Sequence, residues 1–265
     1  MDAKKTLLLL VSTAILNIGV YAQSDTISLR QFTPKITTQQ GPNCWAYASA
    51  YVAVSTRLAY LNKTPNPSNK QAFSYGLICS AMSLASWGKV DEWSNEMFPD
   101  CKSGIGNLDF ALYSLVNYGT VSYAEFPQVS TKLTEQKLKS ILSSAKKVIK
   151  IKDVHEIIST CTCNDRDKSI QTIKAALQQG KPIVCAIYQD RQNGSDGCDE
   201  NFIKQYSSRM PPESNHIVNI VGISESSKKF LIKNNYEEDC TFWVDWDKVL
   251  SITSWAYTFD IDIIR

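Results

Sequence analysis

The hydrophobic period of this chain changes once, and that change limits the folds open to it. From Cys44 to Leu61 the apolar residues Tyr47, Tyr51, Val54, Leu58 and Leu61 recur every three to four positions without Gly or Pro, the spacing of one helix face. Asn62-Lys63-Thr64-Pro65 then ends the helix. Similar patterns cover Lys70–Trp87, Leu108–Asn117, which Tyr118-Gly119 terminates, and Leu133–Ser144. Further on, Val148–Lys152, Ile183–Tyr188, His216–Ile223, Phe230–Lys233 and Trp255–Ile264 are short, rich in β-branched and aromatic residues and often alternating, as strands are. One crossover helix, Ile170–Gln179, is closed by Gly180. A helical half followed by a strand-rich half implies an α+β fold of two lobes, the helical one about 41–145 and the β-rich one about 146–265. Such a fold offers a cleft between its lobes, where ligand sites are common. Lys147, Lys150 and Lys152 fit the solvent face of an edge strand, where lysines discourage edge pairing.

The N-terminus reads as a targeting segment. Lys4 and Lys5 precede an apolar run from Leu7 to Val20, and Val20-Tyr21-Ala22 offers small residues for cleavage, so residues 1–22 are a signal peptide and the mature chain begins near Gln23. The run is shorter than the roughly 20 residues that crossing a bilayer requires. The expected destination is secreted or periplasmic. Eight cysteines, at 44, 79, 101, 161, 163, 185, 198 and 240, suit an oxidising compartment. Cys44 is expected to be a free thiol, and Cys185 lies in the apolar run Pro182–Tyr188, where cysteine packs as a small hydrophobe. The other six are an even number, available for disulfides whose pairing the sequence leaves open.

Charge excludes more than it suggests. With 28 basic and 26 acidic residues the net charge is +2, too balanced to imply nucleic acid, an anionic membrane or a polyacidic substrate. Cys161 and Cys163 lie near His155, but the chain has only 2 histidines and no second closely spaced cysteine pair, so no metal is expected. His155, in Lys-Asp-Val-His-Glu, reads as a surface residue.

Three segments carry the chemistry. In Gln39-Gln40-Gly41-Pro42-Asn43-Cys44-Trp45-Ala46-Tyr47, the Gly-Pro turn sets Cys44 at the start of a long helix. Unpaired backbone N–H groups and the positive end of the helix dipole would there favour a nucleophilic thiolate. The Cys44 N–H and the Gln40 side-chain amide are candidate donors to an oxyanion. In Ser214-Asn215-His216-Ile217-Val218-Asn219-Ile220-Val221-Gly222, a histidine opens a strand. Phe230-Leu231-Ile232-Lys233-Asn234-Asn235-Tyr236 follows it through a hairpin at Ser224–Lys229. An amide at its end, Asn234 or Asn235, is expected to accept the imidazole Nδ1–H and leave the other ring nitrogen facing sulfur.

In order and type, these residues resemble the papain-like cysteine peptidases over most of the mature sequence. The family's Gln…Cys-Trp-Ala-(aromatic) matches Gln40, Cys44, Trp45, Ala46 and Tyr47. Its Asn/Asp-His-Ala-Val…Val-Gly matches Asn215, His216, Val218, Val221 and Gly222, and its Lys-Asn-Ser-Trp is similar to Lys233, Asn234, Asn235 and Tyr236. Gly106 with Ala111-Leu112 and Tyr118-Gly119 resembles the helix before a Tyr-Gly turn, and Leu177–Pro182 the approach to the strand preceding the histidine. The spacing from Gln40 to Cys44 is shorter than in plant and lysosomal members, and the cysteine they carry between those positions is missing together with its partner. In this the chain resembles the short bacterial members, and the stretch from Gln23 to Gln40 is too short for their relatives' inhibitory prosegment.

The resemblance implies a papain-like α+β fold and an exported peptidase that forms a thioester on Cys44, with His216 as base, Asn234 orienting it and Gln40 in the oxyanion hole. It implies a peptide or protein substrate, no cofactor, no nucleic acid and no membrane after signal cleavage, and leaves the oligomeric state open. By alignment Gly106, Leu108, Ala186 and Ile217 would line the pocket for the residue two positions before the scissile bond. The same fold also serves amidases, transferases, deconjugating enzymes and non-catalytic binding modules.

Overall fold

The computed structural model describes residues 25–35, 42–82, 84, 87–97, 107–127, 133–145, 148–159, 165–189, 197–203, 214–236 and 239–264. The expected signal peptide, Gln40, Gly106, Lys147, Cys101, Cys161 and Cys163 lie outside these residues.

The first helix, α1, is continuous from Cys44 but changes its winding. It starts as α over Cys44–Ala46, runs as a π-helix over Tyr47–Val54 and returns to α over Ser55–Leu61. Every residue of the π stretch is buried, and Ala48, Ala50 and Ala53 give it the small surface that lets a sheet pack closely. π winding is rare and occurs where a helix accommodates a site or strain. Here one of its carbonyls, that of Ala48, accepts from Asn219 Nδ2 at 3.2 Å, a hydrogen bond that crosses to the sheet.

Four further helices belong to this lobe: α2 (Tyr75–Ala81) and α4 (Asn107–Asn117), which pack on α1, α3 (Trp87–Met97), which packs on α4, and α5 (Glu135–Ala145), which packs on α2. The helix expected over Lys70–Trp87 is therefore shorter and starts later. Ser74 caps it, its hydroxyl accepting from Leu77 N at 3.0 Å. The backbone before the cap serves tertiary partners instead, Phe73 N donating to Ser55 Oγ and Ser74 N to Val121 O, each within 2.9 Å. Tyr47, Tyr51, Tyr75 and Tyr123 pack ring against ring at the centre of this lobe.

The second lobe is a seven-stranded antiparallel sheet. Its strands are β1 (Thr26–Ser28), β2 (Ile149–Ser159), β3 (Ile183–Ile187), β4 (His216–Ser224), β5 (Lys229–Lys233), β6 (Thr241–Asp245) and β7 (Thr253–Ile263). The order is β2-β7-β3-β4-β5-β6, with β1 paired to β4. Helix α6 (Arg166–Gln178) packs on the sheet, and α7 (Trp246–Ile252) joins β6 to β7. β2 is an edge strand as the lysines imply, although it continues through two register shifts to Ser159. β1, β6, α3 and α7 are elements the hydrophobic pattern did not announce. β1 pairs tightly because Gly222 faces it: a Cβ there would lie 2.7 Å from the Ile27 carbonyl oxygen.

A single apolar core runs from the helices through the sheet. Between the lobes, Asp260 on β7 binds Arg57 of α1 at 3.1 Å and Lys181 at 2.7 Å. The outcome is a two-lobed α+β architecture in which the first turn of α1 packs against β4.

Candidate active site

Cys44 is the first residue of α1, half-buried, and is not in a disulfide. It lies at the join between lobes because α1 packs on β4 and β3 on one side and on α2 and α4 on the other. His216 is the first residue of β4 and is only 3% exposed.

The imidazole is held by a chain of hydrogen bonds. His216 Nε2 lies 2.8 Å from Asn234 Oδ1, just past the end of β5. The orientation of the Asn234 amide follows from its other partners: Oδ1 accepts from the Asn235 N–H at 2.8 Å, and Nδ2 donates to the Gly197 carbonyl at 2.6 Å. An oxygen therefore faces the imidazole, Nε2 carries the proton, and Nδ1 is the basic nitrogen of the neutral ring. The expectation had these nitrogens reversed. The reason is reach: Asn234 follows β5, the hairpin partner of β4, and meets the ring at its far nitrogen. Asn235, the alternative orienting residue, instead donates from its side chain to the Ile217 carbonyl at 3.1 Å.

Tyr236 covers the pair. Its ring stacks on the imidazole with centroids 4.8 Å apart and planes 20° from parallel. Its hydroxyl donates to Gln189 Oε1 at 2.9 Å and lies 3.4 Å from His216 Nδ1. Because the rings are nearly parallel, that hydroxyl approaches the imidazole over its face and not along the Nδ1 lone pair.

A second layer fixes Asn234. Cys198 and Cys240 form a disulfide that ties the segment before residue 203 to the start of β6, and Asn234 N donates to the Cys240 carbonyl at 2.9 Å. Gly197 sits between them in the left-handed region, φ +81°, and a Cβ there would meet Tyr236 Cδ2 at 2.2 Å and Asn234 Nδ2 at 3.3 Å. Only glycine allows this conformation and this approach together. Sequence reasoning passed over Gly197; its signal was the Asp196-Gly197 turn dipeptide beside a cysteine.

The remaining site residues divide. Ala186 and Ile217 are cross-strand partners in β3 and β4, both buried, and Leu108 is buried in the first turn of α4, which packs on the start of α1. His155 is exposed on β2, as expected. The cysteines correct one expectation. Cys79 on α2 is a free thiol, so the six cysteines set aside for disulfides do not all pair. Burial, and then the nearby Cys44, push the Cys79 thiol up to about 12, which leaves it a packing residue. Burial raises Cys185 still further from reactivity, as its apolar strand suggests.

Solved structures share this architecture. The chain superposes with TM-score 0.55 and 16% identity on the digestive procathepsin L 3 of the Tenebrio molitor larval midgut, over 91% of this chain and 71% of that one. It superposes on xylellain, a cysteine protease from Xylella fastidiosa, with TM-score 0.55 and 18% identity over 91% and 87%. The chain has the papain-like fold. The proform of the ragweed pollen allergen Amb a 11, a cysteine protease, shares that fold at TM-score 0.54 and 18% identity, over 92% of this chain and 67% of the allergen. No family model and no curated protein sequence matches the chain. Its papain-like fold is thus evident in three dimensions at an identity where aligned sequence alone is weak. Among the described residues no helix is long and apolar enough to cross a membrane.

Proposed function

We propose that the protein is an exported cysteine peptidase that hydrolyses peptide bonds through a thioester on Cys44. The observation that carries this reading is the buried 2.8 Å contact between His216 Nε2 and Asn234 Oδ1, at the head of the strand that packs against the first turn of α1. It leaves Nδ1 as the nitrogen able to take a proton, and the Cys44 thiol, outside any disulfide, stands at that first turn.

In the reaction, Nδ1 takes the Cys44 proton and the thiolate adds to the scissile carbonyl carbon. The electron pair displaced onto oxygen is held by the Cys44 backbone N–H and the Gln40 amide. Collapse breaks the C–N bond, the imidazolium gives its proton to the departing amine, and a thioester remains. Water then adds to the thioester carbon and gives a proton to Nδ1. Cleavage of the C–S bond releases the acid and restores the thiol. Asn234 keeps the ring in the productive tautomer throughout, and Tyr236 shields that contact from water.

Leu108, Ala186 and Ile217, with Gly106, are the proposed walls of the pocket for the residue two positions before the scissile bond. All are apolar or glycine, so a Leu or Phe side chain there should gain roughly 1.5–3 kcal/mol over Gly. Export is supported by the N-terminal pattern of residues 1–22 and by the Cys198–Cys240 disulfide, a bond that persists in oxidising compartments.

The test uses protein recovered from the medium or periplasm of an expressing host and a fluorogenic peptide library. Turnover lost in Cys44→Ser, with wild-type protein alkylated by iodoacetamide at pH 6 much faster than free cysteine, is the expected result. A wild-type protein inert to both reagents refutes the reading.

A further inference from the structure

Away from Cys44 and His216, a cavity of about 440 Å³ opens between the N-terminal segment and the β5–β6 edge of the sheet. Among the described residues three cations line it, Arg30, Lys35 and Lys233, against one carboxylate, Asp239. Its size falls within the range of small-molecule sites.

Two polar groups in its wall are poorly served by the protein. Lys233 is only 2% exposed, and among the described residues the one carboxylate paired with its ammonium, Asp239, is 3.9 Å away, beyond hydrogen-bond distance. That carboxylate is half-exposed and already bonded to Arg30 at 2.9 Å. A buried ammonium normally requires close and complete compensation. Beside it, in register on the adjacent strand, the buried Thr241 hydroxyl has no hydrogen-bond partner among the described residues. Arg30 is also close enough to Lys233 that its charge adds to the effect of burial, and together they outweigh Asp239 and lower the ammonium to about 8. The fold therefore holds two cations near one another and next to an unused hydroxyl. Both features are costs in the protein alone, and one anion with several acceptor oxygens would remove both.

We propose that this cavity is a binding site for a small tetrahedral oxyanion, the phosphate or sulfate group of a phosphate- or sulfate-bearing small molecule. Lys233 supplies the buried charge, Thr241 a hydroxyl donor, and Arg30 the guanidinium nitrogens not engaged by Asp239, with Lys35 at the rim. Arginine forks and lysine ammonium groups are the side chains best matched to such oxygens. The site is independent of the peptidase reading: Lys233 precedes Asn234 in sequence, but it lines this cavity while Asn234 meets His216.

The test is isothermal titration calorimetry of the full mature protein with sodium sulfate, sodium phosphate and, separately, sodium citrate, each against sodium chloride of equal ionic strength. Sulfate and phosphate should bind saturably. Lys233→Met should weaken sulfate by at least roughly tenfold, and Thr241→Val by roughly two- to tenfold, as loss of one hydrogen bond does. Sulfate does not titrate in this range, so its affinity should also fall between pH 7 and pH 9.5 as Lys233, which faces Arg30, Lys35 and Asp239, loses its proton. Should Lys233→Met not fold, Arg30→Ala, at a residue whose side chain is 53% exposed, gives the same reading. Failure of sulfate and phosphate to bind, equal binding by wild type and the cavity variants, or binding of citrate alone would each overturn the assignment.

Discussion

Replacement of Gly197 by alanine should damage both the stability of the protein and its turnover, for reasons that can be sized from the structure. The residue has φ +81°, where a Cβ costs about 1–2 kcal/mol. The new methyl would also lie 2.2 Å from Tyr236 Cδ2, more than 1 Å inside ordinary contact, and crowding of that kind costs about 1–3 kcal/mol. A total loss of about 2–5 kcal/mol lies within or below the 5–15 kcal/mol typical of a domain, so a folded population should remain. The strain falls on the residues that hold the imidazole, because the Gly197 carbonyl accepts from Asn234 Nδ2 and the Tyr236 ring stacks on His216. A displacement of about 1 Å in such supports can cost roughly 10²-fold in rate. The assay pairs a urea unfolding curve with kcat/KM on a peptide substrate, measured where the variant is folded by near-ultraviolet circular dichroism. A variant with unaltered stability would refute the packing argument. A destabilised variant with kcat/KM within twofold of wild type would refute the coupling of Gly197 to the imidazole.

Other perturbations should separate the roles of neighbouring groups. Cys44→Ala should abolish turnover while moving the thermal midpoint by no more than a few degrees, since a half-buried thiol contributes little packing; residual turnover in that variant would exclude a thioester on Cys44. His216→Ala should lose several orders of magnitude in kcat, whereas His155→Ala, exposed on an edge strand, should stay within about threefold. Equal losses would place the base elsewhere. Burial lowers Lys233 from its ordinary 10.5 to about 8, so the unfolded chain binds more protons there and native stability gains as pH rises between those values. At about 1.4 kcal/mol per pH unit, the stability of Lys233→Met relative to wild type should therefore fall by roughly 3 kcal/mol from pH 7 to pH 10.5, without sulfate or phosphate. A pH-independent difference in urea unfolding would mean that the ammonium is not desolvated.

The sequence by itself determined where the architecture changes and which residue types bear the chemistry. Periodicity is a local property, so α1, α4, α5 and the strands β3, β4, β5 and β7 could be read from spacing, and Cys44 and His216 could be placed at the starts of their elements. Elements held by their neighbours were less legible. β1 exists because β4 offers it an edge at Gly222, β6 is a half-buried strand with little pattern of its own, and the start of α2 was delayed to Ser74 by hydrogen bonds that Phe73 N and Ser74 N donate to Ser55 Oγ and the Val121 carbonyl. The π winding of α1 left no mark on its apolar spacing either, and one carbonyl in it, that of Ala48, accepts from Asn219 of the sheet. Only the tertiary structure decided which imidazole nitrogen meets Asn234, that Asn234 and not Asn235 does so, and that Gly197 and the Cys198–Cys240 disulfide stand behind it. Those facts depend on contacts between residues far apart in the chain, the Cys198–Cys240 disulfide spanning 42 positions and the hydrogen bond from Asn234 Nδ2 to the Gly197 carbonyl spanning 37. Hydrogen bonds of that kind leave no period in a sequence, because their geometry is fixed by the register of the strands and the packing of loops, not by neighbours along the chain.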